Sequence, residues 1–384
     1  MRKVPTILTL CIAGVLAAGD DGPVSAPGPA PKETRAAYPH AGISLTVPPG
    51  FALHAPAEPF GLLYAMHADK NEPTSLTLAA VPVSDEATLE KVADEFLADL
   101  KRDLAFKDVT CRRRVPMKLG DLDGLAEALS YTCRGDQLAS ARLLTIRSAK
   151  GTDGAARRFC YVLGVEGLPG DSARLPDLLG QVVDTVKLTE PKSPGELPLG
   201  DPMPAVGEPR LGYALRPLSG WHIARRYGGV VLAQRDYRRG VDATLQIDVE
   251  TMPADLTACG CIDQSLQDAA QQAGGAEYTT LERKDMVQGE WPSHQCVVRP
   301  EAPTTRPAKN DDAESPKRPA RMLIVHRTVC GPRLTPNTRR VYSVVLVYPD
   351  SDVERAKAIM ERHAKGLTIE GPAGMPATKG DAGG

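Results

Sequence analysis

The sequence predicts an α+β protein built twice, as two copies of a mainly antiparallel β-sheet with helices packed on it. Two segments open alike, Gly42-Ile43-Ser44-Leu45-Thr46-Val47-Pro48-Pro49-Gly50-Phe51 and, 170 positions later, Gly212-Tyr213-Ala214-Leu215-Arg216-Pro217-Leu218-Ser219-Gly220-Trp221. That spacing is too long for a solenoid unit and suits a duplicated globular domain. Within each copy, runs alternating with period two surround one stretch of period three to four, the signature of strands flanking an amphipathic helix. Each copy, 41–190 and 211–370, is long enough to bury roughly 70% of the surface its unfolded chain exposes, so each should fold alone.

The elements follow in chain order. Met1-Arg2-Lys3 is a basic start, 4–16 is mostly apolar, and Val15-Leu16-Ala17-Ala18-Gly19 supplies small residues for cleavage. This predicts a secretory signal peptide over 1–18 and a periplasmic or extracellular location. The apolar run is short for a bilayer core of about 30 Å, and no later stretch qualifies as a span. Retention as an anchor stays open. A lipoprotein would need Cys11 as the modified residue, yet Leu10 precedes it where a small residue is wanted. Residues 19–40, rich in Pro, Ala, Gly and Asp, read as a disordered tether.

In the first copy, alternation through Ile43, Leu45 and Val47, then over 61–66 and 76–81, gives strands. Leu89, Val92, Ala93, Phe96, Leu97, Leu100 and Leu104 then recur at three and four after a cap at Ser84 or Asp85, giving a helix that lies on the sheet. Strands over 109–119, 125–131, 141–147 and 158–165 precede a closing helix over 172–186. A stiff Pro-rich linker is expected over 191–210, with Pro at 191, 194, 198, 202, 204 and 209.

The second copy repeats the order. Leu62 falls on Val231, Leu76 on Leu245, Leu78 on Ile247, Val92 on Ile262, Phe96 on Leu266, and Ala141-Arg142-Leu143-Leu144 on Ala320-Arg321-Met322-Leu323. A polar insertion over 300–319 with five prolines reads as a mobile loop. The last helix starts at Ser351 with Glu354 three residues on, a capping-box pattern. The tail, 371–384, reads as disordered.

A strand ending in Val-Pro-Pro-Gly-Phe, two more strands, a helix, four antiparallel strands and a closing helix resemble the PsbP-like fold, over about 42–190 and again 211–370. The resemblance implies mostly non-catalytic proteins that bind other proteins or serve as envelope accessories, with no shared catalytic residue. The second copy departs from the pattern at Arg216-Pro217, where the first has Thr46-Val47, which puts the length of that strand in question.

Forty-six basic and 48 acidic residues leave a formal charge of -2, and -4 once Arg2 and Lys3 leave with the signal. Scattered dibasic pairs (Arg157-Arg158, Arg225-Arg226, Arg339-Arg340) and 4% aromatics argue against a nucleic-acid partner. Export places seven cysteines in an oxidising compartment. With a turn centred on residue 122, in the loop Gly120-Asp121-Leu122-Asp123-Gly124, Cys111 would face Cys133 across a hairpin and form a disulfide.

Cys259, Cys261, His294, Cys296, His326 and Cys330 admit a soft-metal site, one or two disulfides, or buried thiols, although no paired Cys-x-x-Cys knuckle is present. Cys259 aligns with Leu89 and would point into the core. No Gly-x-Ser-x-Gly elbow, His-Glu-x-x-His, phosphate loop or dinucleotide fingerprint occurs. His222 and His326 read as structural or surface residues, and Trp221 and Trp291 as core or hairpin packing. The expectation is an exported, non-catalytic binding or assembly module of the cell envelope. It has a protein partner and no cofactor, and it would use the groove between its domains and the 300–319 loop. The competing readings are a metal-handling protein and an enzyme whose site is assembled from distant residues.

Overall fold

The computed structural model describes residues 33–54, 56, 60–69, 73–133, 135–152, 154–203, 205–225, 229–272, 277–301, 322–349 and 352–370. The signal segment, residues 19–32 of the tether, residues 302–319 of the insertion and the tail lie outside the described residues. The chain divides into two compact units. The first runs to Pro198 and takes in Gly220–Ala224 and Arg235–Gly240, and the second holds the rest.

The first unit contains β1 (Thr34–Tyr38), β2 (Ile43–Val47), β3 (Phe51–His54), β4 (Gly61–His67), β5 (Ser75–Pro82), α1 (Leu89–Arg102), β6 (Phe106–Leu119), β7 (Leu122–Cys133), β8 (Asp136–Lys150), β9 (Ala156–Gly167), α2 (Leu175–Asp184) and β10 (Lys187–Leu188). Seven strands form one antiparallel sheet in the order β3-β4-β5-β9-β8-β7-β6, and β1-β2-β10 form a smaller one. This is the order of strands and helices that the PsbP-like resemblance implies.

The sheet is covered on both faces. On β5, Leu76, Leu78 and Ala80 join Leu175, Leu179, Val182 and Val183 of α2 in one cluster. Ala79 and Val81 join Val92, Ala93 and Phe96 of α1 in another. Such two-sided burial explains why the strand reads as nearly continuous apolar sequence rather than as clean alternation. The cap of α1 is Thr88, whose hydroxyl accepts from the Lys91 N–H at 3.3 Å, rather than Ser84 or Asp85.

Residues assigned to the tether supply β1, which pairs antiparallel with β2 from Thr34↔Val47 to Tyr38↔Ile43. Its sequence hides this, because only Ala36 of Thr-Arg-Ala-Ala-Tyr is buried. Gly42, at φ 67°, receives the closing chain: the Thr189 N–H donates to its carbonyl at 2.9 Å, and a Cβ there would stand 2.2 Å from the Thr189 carbonyl oxygen. Gly212, at φ 70°, has the same role, with the Glu370 N–H on its carbonyl at 2.9 Å. The glycine that opens each copy therefore marks where its last strand returns.

The second copy contains β11 (Val206–Glu208), β12 (Tyr213–Leu215), β13 (His222–Arg225), β14 (Val230–Asp236), β15 (Val241–Pro253), α3 (Ala258–Gln272), β16 (Tyr278–Gln288), β17 (Trp291–Pro300), β18 (Met322–Thr335), β19 (Thr338–Pro349), α4 (Val353–Lys365) and β20 (Leu367–Ile369). Its sheet order, β13-β14-β15-β19-β18-β17-β16, repeats that of the first copy, and β11-β12-β20 form its small sheet. Arg216-Pro217 shortens β12 to three residues against five in β2, as expected where proline removes a ladder donor.

The linker is not uniformly extended. It holds a 3-10 turn, Pro194–Glu196, with the Ser193 N–H donating to Glu196 Oε2 at 2.8 Å, and then β11. The α4 cap is Asp352, accepting from the Arg355 N–H at 2.9 Å, in place of the expected Ser351. Within the first unit, the turn 235–240 inserts Tyr237 into the core, where its hydroxyl donates to the Ala80 carbonyl at 2.7 Å.

The topology also refines the alignment of the copies. Thr88 and Thr257, Asp94 and Asp263, and Leu97 and Leu266 correspond at a spacing of 169. Thr257 caps α3 as Thr88 caps α1, accepting from the Gly260 N–H at 3.1 Å. Cys259 thus matches Glu90 and is half-buried, and Cys261 matches Val92 in the core. In the strands that follow, Glu127↔Arg142 corresponds to Cys296↔His326, and Ile146↔Cys160 to Cys330↔Val341. The match of 141–144 with 320–323 is therefore out of register.

Candidate functional site

The chemistry-bearing residues concentrate where the first helix of each copy lies on β6–β8 or β16–β18. The β6–β7 hairpin turns through Gly120-Asp121 with Leu119 opposite Leu122, a two-residue loop with glycine at φ 63°. Two bulges then shift the register, so Cys111 stands opposite Leu129 and Cys133 opposite Phe106. The expected facing of Cys111 and Cys133 does not occur. Four residues along a strand are about 13 Å, well beyond the Cα separation of roughly 7 Å that a disulfide tolerates. The turn was placed too late, and nothing in the sequence signalled the bulges.

Beneath α1 the polar residues form a closed chain of ion pairs. Asp94 on the helix holds Arg114 Nη1 at 2.6 Å, Arg114 Nε meets Glu127 Oε1 at 2.6 Å, and Arg142 meets Glu127 Oε2 at 2.6 Å. The Glu127 side chain is 0% exposed. Its charge is tolerable there only because both oxygens are taken by guanidinium groups. The Arg142 guanidinium also stands 6.0 Å from the centre of the Phe96 ring. Further along, Tyr131 donates to buried Glu166, and burial with that carboxylate raises the Tyr131 phenol well above its ordinary range. These groups are spent on one another. The signal in the sequence was a carboxylate and a guanidinium inside otherwise apolar strands.

The second copy keeps the rim of this chain and replaces its centre. Asp263 holds Arg283 at 2.7 Å, as Asp94 holds Arg114. Opposite Arg283 stands Cys296, and opposite Cys296 stands His326. Burial pushes the Cys296 thiol up, against Arg283, which lowers it. Burial lowers His326 to about 4, so its imidazole is neutral at pH 7.

The remaining predicted ligands disperse. Cys259 Sγ lies 3.7 Å from Arg283 Nη1, and His294 Nδ1 lies 2.7 Å from Asp285. Cys261 and Cys330 are both buried where α3 meets β18. Among the described residues no three His, Cys, Asp or Glu side chains converge as a metal would require. The six candidates thus fall into separate contacts, with Cys296 opposite His326, Cys259 near Arg283 and His294 on Asp285.

His222 and His363 are buried. His222 Nε2 accepts from the Phe60 N–H at 3.3 Å, and burial lowers it to about 3. His363 Nδ1 lies 3.1 Å from the Ile359 carbonyl and its Nε2 accepts from the Leu218 N–H at 3.5 Å. Trp221 is buried and Trp291 half-buried at the start of β17. Beside α2 an open cleft of about 270 Å³ is lined by Thr74, Asp171, Arg174, Leu175, Asp177, Leu178 and Gln181.

The outer strands of the two large sheets differ. β6 carries exposed Lys107, Arg112, Arg113, Pro116 and Lys118. β16 carries Leu281 at 39% and Val287 at 70% exposure. No helix among the described residues is long and apolar enough to cross a membrane.

No family model and no curated protein matches the chain. Among solved structures it is similar to LpqN of Mycobacterium tuberculosis, described as involved in cell envelope biogenesis, at 17% identity and TM-score 0.32 over 41% of this chain and 91% of that one. It is also similar to the cyanobacterial PsbP of Synechocystis sp. PCC 6803, at 14% identity and TM-score 0.31 over 46% of this chain and 98% of that one. The type VI secretion immunity protein TplEi of Pseudomonas aeruginosa matches at 10% identity and TM-score 0.24, over 88% of this chain and 97% of that one. At these scores the likenesses add no argument about function. The α+β class rests on the two seven-stranded sheets and their helices.

Proposed function

We propose that the protein is an exported, non-catalytic binding module of the cell envelope that captures an extended protein segment along β16. The observation that carries this reading is the contrast between the edge strands. Long sheet edges are templates for strand addition, and proteins protect them with lysine, arginine, proline and bulges. β6 has all four, with two bulges, whereas β16 has one bulge, lacks proline and presents Leu281 and Val287 to solvent beside Arg283 and Lys284. An added strand would take its main-chain hydrogen bonds from the edge and its specificity from such side chains. The central polar groups under α1, Glu127 and Arg142, support a non-catalytic reading because they are buried and paired with one another. The basic start of the chain supports export.

The test places a photo-crosslinking amino acid at Leu281 or Val287, and at Arg112 or Lys118 for comparison, in the full chain expressed in its host. The β16 positions are expected to give one discrete adduct with an envelope protein, and the β6 positions none. Adducts from β6 alone, or no adduct from any position in a folded, exported chain, would reject the reading.

A further inference from the structure

Val92 on α1 and Ile146 on β8 pack in one apolar cluster of the first copy. The corresponding residues of the second copy are Cys261 on α3 and Cys330 on β18. Both are buried. Cys330 Sγ also lies 3.9 Å from the carbonyl oxygen of Leu256, two residues before α3 begins, and Cys261 sits in the first turn of that helix, its N–H bonded to the Thr257 carbonyl at 3.0 Å. Both cysteines thus stand at the N-terminal turn of α3, one on the helix and one on the strand beneath it.

We propose that Cys261 and Cys330 are a disulfide-forming pair that clamps the first turn of α3 to β18. The oxidant is a second disulfide, either a low-molecular-weight one or that of a thiol oxidoreductase. The Cys330 thiolate attacks one oxidant sulfur, the oxidant S–S bond breaks, and the departing thiolate takes up a proton. The Cys261 thiolate then attacks the Cys330 sulfur of the mixed disulfide and expels the second oxidant thiol. Two protein thiols are oxidised, and one disulfide is reduced to two thiols.

The Cys261 side chain and the Arg339 guanidinium both lower the Cys330 thiol, which makes Cys330 the attacking group. Because both thiols are buried, the reaction proceeds during folding or through opening of the α3 turn. The apolar counterparts in the first copy show that the fold does not itself require sulfur at these positions. The pairing stands whether or not the binding reading is correct.

The experiment uses the full chain, refolded in oxidised and reduced glutathione, alkylated in denaturant and digested with trypsin without reductant. Cys330 lies in the fragment 328–333, and Cys259 and Cys261 share 240–283. The two fragments are expected to be linked in the unsubstituted chain and in Cys259→Ser, and unlinked in Cys261→Ser. A link that survives in Cys261→Ser, or full alkylation of Cys261 and Cys330 in the folded oxidised chain, would overturn the proposal. As a second readout, Cys261→Val/Cys330→Ile restores the residues of the first copy. Its Tm is expected to ignore dithiothreitol, whereas the Tm of the unsubstituted oxidised chain falls on reduction. An equal response in both proteins would also overturn it.

Discussion

The same slot beneath the first helix holds a buried carboxylate and guanidinium in one copy, Glu127 and Arg142, and a thiol and a neutral imidazole in the other, Cys296 and His326. Around both, the rim is alike: a helix aspartate on a strand arginine, Asp94 with Arg114 and Asp263 with Arg283. The difference teaches what the fold demands of this layer. It needs groups that leave no charge unpaired, and it meets that need either by closing an ion network or by keeping every group neutral. The two solutions should fail differently.

The largest difference is expected on removing one member. Glu127→Ala strands the Arg142 guanidinium, which is 5% exposed, and should destabilise the first unit by about 3–5 kcal/mol. Cys296→Ala removes a neutral thiol and should cost the second unit only about 1–2 kcal/mol, a large-to-small core change. Urea unfolding of the full chain, followed by probes in each unit, measures both. Equal losses would break the comparison.

Acid should separate the two slots next, since the first unit's own acid slope comes from His40, lowered by burial to about 4, and His222, lowered to about 3, rather than from its slot. Burial holds His326 at about 4, below its ordinary 6.5, so between those values the unfolded chain binds a proton that the folded chain does not. Its contribution is complete above pH 6.5 and is lost as pH falls through about 4, roughly 3 kcal/mol in all. His363, also lowered to about 4 by burial, adds a similar slope. His326→Leu should therefore remove about half of the second unit's loss between pH 6.5 and 4. The smallest effect belongs to the shared rim: Asp94→Asn and Asp263→Asn should each cost under about 1 kcal/mol, because both pairs are solvent-screened.

Much of this architecture was legible because periodicity reports burial. The strands, α1, α2 and the duplication itself followed from Leu, Val and Ile placements and from the glycines that open each copy. β1 and β11 were not legible, since short strands with one or two buried residues leave no pattern. The Cys111–Cys133 facing failed because register depends on turn length and bulges, which pairing sets and side-chain type does not. The slot itself is not legible in the sequence: Glu127 and Arg142 lie 15 residues apart on consecutive strands, and only the β7–β8 register makes them neighbours. Cys296 and His326 had drawn attention as metal ligands, whereas their positions show them standing where an ion pair stands in the other copy.

Double-mutant cycles on the two pairs, Glu127 with Arg142 and Cys296 with His326, each to Ala and followed by urea unfolding of the full chain, test the central claim most directly. The account predicts a coupling of about 2–3 kcal/mol for the ion pair and under about 0.5 kcal/mol for the thiol–imidazole pair. Equal couplings would contradict it.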